Sequence, residues 1–100
     1  MEAEWFVYMI EAENGRLYTG ITTDTERRWL EHQSGKGAKF FRSSPPKRFR
    51  LREGAFDRST ALRLESRIKR LPRAQKLELC RKSKFQSFFK LLSLPVDQKK

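Results

Sequence analysis

The sequence predicts an α+β fold, a small and mainly antiparallel three-stranded sheet flanked by helices. Three observations lead there. Two apolar, β-rich runs, residues 5–10 (WFVYMI) and 17–22 (LYTGIT), flank an Asn14-Gly15 turn and so form a hairpin. Capped segments with helical spacing follow Thr22 and Phe56. Between them, residues 48–56 (RFRLREGAF) alternate apolar and charged side chains at Phe49 and Leu51, the period of an edge-like strand. One hundred residues hold one such domain. Its expected span is 1–82, followed by an amphipathic extension and a frayed tail over 83–100.

The elements follow in order. The hairpin turn admits two registers. A two-residue loop pairs Glu13 with Arg16 and puts Tyr8 and Tyr18 on opposite faces. A three-residue loop, with Gly15 left-handed in a bulge, pairs Ala12 with Arg16, sets Tyr8 opposite Gly20, and brings both rings to one face. Thr23 or Asp24 caps the first helix, with Glu26 placed for a capping box from Thr23. That helix runs to about Gln33 and stops near Gly35. Residues 34–46 (SGKGAKFFRSSPP) read as a loop. Asp57 or Ser59 caps a second helix through about Leu71, Pro72 interrupts, and a third helix runs from Arg73 to about Lys82. Phe85, Phe88 and Phe89 suggest a short amphipathic segment that either docks a protein partner or caps the core.

Composition narrows the function. Hydrophobic residues make up 37% of the chain, enough for one modest core, and 35% are charged. The 23 Lys and Arg outnumber the 12 Asp and Glu, giving a net charge of +11 and a pI near 10.4. That balance predicts a polyanionic partner, foremost nucleic acid, and excludes an acidic mimic. The charge is uneven: residues 1–35 hold three cations against seven acids, whereas residues 36–100 hold twenty against five. The basic footprint opens with Lys36, Lys39, Arg42, Lys47, Arg48, Arg50 and Arg52, interleaved with Phe40, Phe41 and Phe49. It suits either a surface that grips phosphates and stacks on bases, or a solvated loop with buried Phe anchors. A single cysteine, Cys80, excludes an internal disulfide framework and a multi-Cys zinc site; a single histidine, His32, excludes a His-rich metal cluster. The acidic N-terminus does not read as a signal peptide, and no apolar stretch has transmembrane length, so a cytoplasmic protein without a membrane partner is expected. Neither of the glycine-rich phosphate loops of nucleotide folds is present.

Chemistry could sit on three elements. In the second helix Ala61, Leu62, Leu64, Ile68 and Leu71 outline an apolar face, and Glu65 falls inside its arc. A carboxylate there requires a cation, either a divalent metal or a neighbouring Arg or Lys. The first helix places Arg28 and His32 one turn apart on one face, with Trp29 and Leu30 directed toward the core. An Arg holds a phosphate oxygen in a fork and a His moves a proton near neutral pH, although both also occur on plain solvated helices. Tyr8 and Tyr18 offer two hydroxyls, provided that they share a face.

The arrangement Phe6-Val7-Tyr8, a turn, then Tyr18-Thr19-Gly20 resembles the paired motifs of the GIY-YIG nucleases. Arg28, His32 and Glu65 match that family's helix arginine, the histidine that some members carry one turn later, and the metal-binding glutamate. Gly35 to Arg42 (GKGAKFFR) and Ala61 to Glu65 (ALRLE) are similar to the small single-domain bacterial subfamily, which is close to the catalytic subunit of structure-specific resolvases. The chain departs from the pattern with FVY and YTG, and Asn14 is its only asparagine, where the family often has one beyond the glutamate. The resemblance implies a metal-dependent endonuclease acting on branched, flapped or damaged DNA in repair or recombination. It implies Mg²⁺ or Mn²⁺ on Glu65, Tyr8 as the general base or its relay, and Tyr18 orienting water or phosphate. Arg28 would stabilise the transition-state charge and His32 would shuttle a proton or hold phosphate. Lys36, Lys39, Arg42, Arg48, Arg63, Arg67 and Lys69 would grip the DNA backbone without reading sequence. The departures favour a second class of function, a nucleic-acid-binding module that does not cut.

Overall fold

The computed structural model describes residues 3–82, so Phe85, Phe88 and Phe89 lie outside the described residues. Strands β1 (Trp5–Ala12), β2 (Leu17–Thr22) and β3 (Pro46–Phe56) form one sheet in the order β2-β1-β3, with both pairings antiparallel. Helix α1 (Thr25–Gln33) follows the hairpin, and α2 (Arg58–Lys69) and α3 (Arg73–Lys82) follow β3. The expected α+β class holds, and β3 is an edge strand as its alternation implied. The strands run further than expected, because β1 reaches Ala12 and β3 starts at Pro46. A strand's first residue tolerates proline's missing N–H.

β1 is covered on both faces, which is why it reads as an unbroken apolar run rather than an alternation. Val7 and Met9 point to one side, where they pack with Leu51 of β3, Ala61, Leu64 and Ile68 of α2, and Leu79 of α3. Tyr8, Ile10 and Ala12 point to the other, where Phe41 joins them and Tyr18, Trp29, Phe40 and Phe49 close the cluster. The first side is a conventional apolar core. The second is aromatic and contains the one histidine.

The turn takes the three-residue register. Ala12 N–H donates to Arg16 C=O (2.9 Å), Gly15 N–H donates to Ala12 C=O (2.9 Å), and Gly15 sits at φ +88°. Tyr8 therefore pairs with Gly20 and Ile10 with Tyr18, so both tyrosines share the aromatic face. Gly20 is needed there because a β-carbon would stand 2.6 Å from Tyr8 Oη and 2.7 Å from its Cζ.

The structure chooses between the open alternatives and corrects several expectations. Asp24, not Thr23, caps α1, its carboxylate accepting from the N–H groups of Glu26 and Arg27, so no capping box forms. Asp57 rather than Ser59 caps α2, which ends at Lys69, short of Leu71. Leu30 is 61% exposed and Leu62 37%, so neither belongs to the core. Phe49 and Leu51 do not share a face. Met9 pairs with Leu51 and Ile10 with Phe49, which leaves Arg50 as an extra residue in a bulge. The bulge sends Leu51 to the apolar core and Phe49 to the aromatic cluster.

Gly20→Ala overfills the space above Tyr8. It should lower unfolding free energy by roughly 1–3 kcal/mol in chemical denaturation; an unchanged midpoint would show that the Tyr8 ring is free to move aside.

Candidate active site

The aromatic face assembles the site. Tyr8 comes from the central strand and Tyr18 from β2, with ring centroids 6.2 Å apart. α1 lays His32 against both rings, at 5.9 Å from Tyr8 and 5.3 Å from Tyr18. The 3₁₀ turn Lys39–Phe41 closes the far side, with Phe41 4.7 Å from the His32 ring and Phe40 5.3 Å from Tyr18. Phe49 meets Tyr8 edge-on at 6.1 Å.

His32 is fully buried, and both its ring nitrogens are engaged. Ala38 N–H donates to Nδ1 at 3.2 Å, which makes Nδ1 an acceptor. The ring proton is thereby assigned to Nε2, which lies 2.8 Å from Tyr8 Oη. His32 thus donates to Tyr8. Burial, aided by the nearby Arg28 charge, pushes the His32 pKa down to about 4, so the ring stays neutral at physiological pH. The backbone that supplies this contact is held by α1 itself, since Lys36 and Gly37 N–H groups both donate to Glu31 C=O at 2.9 Å. Gly37 leaves room for the imidazole: its missing β-carbon would overlap His32 Nδ1.

Arg28 lies near enough to Tyr8 for its charge to favour the ionised phenol. Its guanidinium holds Glu31 at 2.8 Å. Arg28 and the His32 N–H both favour a tyrosinate, yet burial outweighs them. Desolvation, with smaller contributions from Tyr18 and the Glu65 charge, pushes the Tyr8 pKa up to about 12 against the pull of Arg28. Glu65 therefore lies close enough for its charge to register at Tyr8. Its recorded partner is Lys69 of its own helix, at 3.2 Å. That is an ammonium, not a guanidinium, and it is 54% exposed. The lysine end of the pair is open to solvent, whereas the Glu65 side chain is 19% exposed.

The residues fit a hard divalent cation of the Mg²⁺ type. Among the described residues no group of three or more His, Cys, Asp or Glu could hold a metal unaided. Glu65 alone suits an ion that takes one protein carboxylate and completes its shell with phosphate and water.

The expected DNA-gripping residues are dispersed. Lys36, Lys39 and Arg42 are exposed on the loop beside His32. Arg48 is tied to Glu11 at 2.9 Å, and Lys69 to Glu65. Arg63 is exposed on α2 near Asp57, and Arg67 is half-buried on the same helix. The base-stacking role is not available to Phe41, which is buried in the cluster. Sequence reasoning placed Arg52 only in the basic footprint, whereas the register sets it directly beside Tyr8. The bulge that fixes this alignment has no signal in composition or periodicity.

Residues 4–78, three quarters of the chain, match the family model of the GIY-YIG catalytic domain. The chain belongs to the GIY-YIG family. Its domain is that of a nuclease superfamily, and no described helix is long and apolar enough to cross a membrane. The chain is similar to the UPF0213 protein Reut_B5558 of Cupriavidus pinatubonensis, with 47% identity over 82% of this chain and 91% of the other. It is equally similar, at 47%, to the UPF0213 protein YhbQ of Escherichia coli, over 89% of this chain and 87% of the relative. The solution NMR structure of the UPF0213 protein BH0048 from Bacillus halodurans superposes with a TM-score of 0.53 at 35% identity, covering 92% of this chain and 99% of that one. These relatives reproduce the small single-domain GIY-YIG type anticipated from the motifs.

The His32 shift has a stability consequence. A histidine whose folded pKa lies below its unfolded value takes up its proton only on unfolding. Its contribution is complete above about pH 6.5 and is lost as pH falls through that value toward about 4. Thermal melts should show the melting temperature falling across this window, and His32→Gln should flatten the fall. An equally steep fall in the variant would place the acid sensitivity elsewhere.

Proposed function

We propose that this protein is a metal-dependent endonuclease that hydrolyses DNA phosphodiester bonds, acting in the cytoplasm on branched, flapped or damaged DNA during repair or recombination. Membership of the nuclease superfamily supports the class. The observation that carries the reading is one buried phenol oxygen, on the face shared with Tyr18, that meets His32 Nε2–H at 2.8 Å and has the Arg28 charge beside it. A donor and a guanidinium charge converging on the oxygen stabilise negative charge there, while the nearby Glu65 opposes it until a cation covers its carboxylate.

Mg²⁺ or Mn²⁺ held by Glu65 would supply charge neutralisation at the scissile phosphate. The chain's own residues do the remaining work. Tyr8 accepts the proton of the attacking water, directly or by relay, and the His32 N–H and the Arg28 charge hold the tyrosinate. His32 serves as a fixed neutral donor rather than as a shuttle, because Nε2 already carries its proton and Nδ1 is occupied by Ala38 N–H. Arg28, paired with Glu31 in the free protein, would add positive charge where the transition state gains negative charge. Tyr18, half-buried beside Tyr8, is placed to orient water or phosphate.

One observation favours the competing reading of a binding module that does not cut: the free protein keeps Tyr8 as a phenol, with its pKa near 12. A metal-dependent nicking assay on branched and flapped substrates separates the two. Tyr8→Phe and Glu65→Ala should each reduce nicking at least ~10²-fold while DNA binding persists. Wild-type nicking rates in either variant would reject the assignment. Because the base must lose a proton from a pKa near 12, the nicking rate should climb about tenfold per pH unit from about pH 7 to about pH 9. A plateau reached at neutral pH would remove Tyr8 as the base.

A further inference from the structure

Two arginines on the aromatic face have no role in this chemistry. Arg16 lies over the Phe40 ring at 5.5 Å, and Arg52 over the Phe49 ring at 4.5 Å. Four other cations of this region are held in ion pairs, while Lys36, Lys39, Arg42 and Lys47 are exposed on the loop and the start of β3 and, among the described residues, lie over no ring. Arg28 is held by Glu31, Arg48 and Arg50 both bind Glu11 at 2.9 Å, and Lys69 binds Glu65. Arg16 and Arg52 are exposed, and among the described residues neither forms an ion pair. Their rings are fixed parts of the site: Phe40 packs on Tyr18 and Phe41, and Phe49 on Tyr8 and Trp29. Stacking occupies the flat face of a guanidinium and leaves its N–H edge turned outward.

We propose that Arg16 and Arg52 are the two ends of a phosphate track that carries one DNA strand diagonally across the sheet, from beside Tyr8 to the hairpin tip. The inference rests on the nuclease reading and adds the path of the substrate. Arg16 precedes β2 and shares its face with Tyr18, whereas Arg52 sits on β3 as the direct partner of Tyr8. They therefore stand on opposite sides of the central strand, Arg16 level with Ala12 at the hairpin tip and Arg52 level with Tyr8. Neighbouring strands are ~4.8 Å apart and a strand rises ~3.4 Å per residue, so the two positions are roughly 17 Å apart on the diagonal of the sheet. With a rise of ~3.4 Å per nucleotide, a run of about five nucleotides spans that distance. The rings lie beneath the guanidinium groups, so they seat the arginines instead of stacking on bases. The track contacts backbone and reads no sequence. Seating also removes most of the side-chain freedom that a free surface arginine would lose on binding.

The test is DNA affinity of the full chain in EDTA, so that no cleavage intervenes, followed by fluorescence anisotropy over a range of salt concentrations. R16Q and R52Q should each lower the slope of log affinity against log salt by about 0.9, and the double variant by twice that. R52K keeps the charge but not the stacked seat, so it should retain the slope and lose affinity severalfold. R81Q, whose arginine pairs with Glu78 on α3, should match the wild type. A steep wild-type slope left unchanged by R16Q and R52Q would overturn the track and leave the nuclease reading standing. R52K binding as tightly as wild type would also overturn the seated geometry. A wild-type protein with no salt-sensitive DNA binding would overturn both the track and the nuclease reading.

Discussion

The hydrogen bond from Ala38 N–H to His32 Nδ1 governs the chemistry available to this protein. A backbone amide cannot accept, so it leaves the imidazole one tautomer and directs the remaining proton at Tyr8. The contact costs little because the loop that provides it is an extension of the α1 C-terminus. Glu31 C=O collects two successive N–H groups, and the chain turns back over the histidine. Gly35, at φ +85°, permits that reversal, and Gly37 lets the backbone come close enough for the bond. Two of the glycines in one short loop thus define the proton inventory of a residue several positions earlier.

Burial and charge oppose each other at Tyr8. The enclosing rings remove water from the phenol, which favours its neutral form, while Arg28 and the His32 N–H favour the anion. In the free protein the enclosure dominates. On the proposed function, extra positive charge in the cleft would be needed to turn this protonated state into a working one. Glu65, whose ion-pair partner is Lys69 of its own helix, is the carboxylate proposed to receive it.

Much of this was legible in the residues. The hairpin, the three helices and the third strand follow from Asn14-Gly15, Asp24, Asp57, Pro72 and the apolar runs, each a local signal. Tyr8, Tyr18, Arg28, His32 and Glu65 were recognisable through motif order. The illegible parts depend on contacts between distant segments. The turn chemistry allowed two registers, and only packing against Gly20 and α1 selects one. The bulge at Arg50 breaks the alternation of β3, so Phe49 was grouped with the wrong side and Arg52 was counted as one more surface cation. Leu30 and Leu62 looked like core because helical spacing marks a stripe, not its edges. Ion pairs such as Arg48 with Glu11 join residues 37 positions apart, beyond any local reading.

The hairpin tip carries a hidden requirement. A one-residue slip in strand pairing inverts which side chains look up or down. Were the same 13–15 tip to close as a two-residue loop, with Glu13 opposite Arg16, every cleft residue would remain in the sequence while Tyr8 and Tyr18 stood back to back. The way a solvent-facing loop closes is therefore under the same constraint as the chemistry itself.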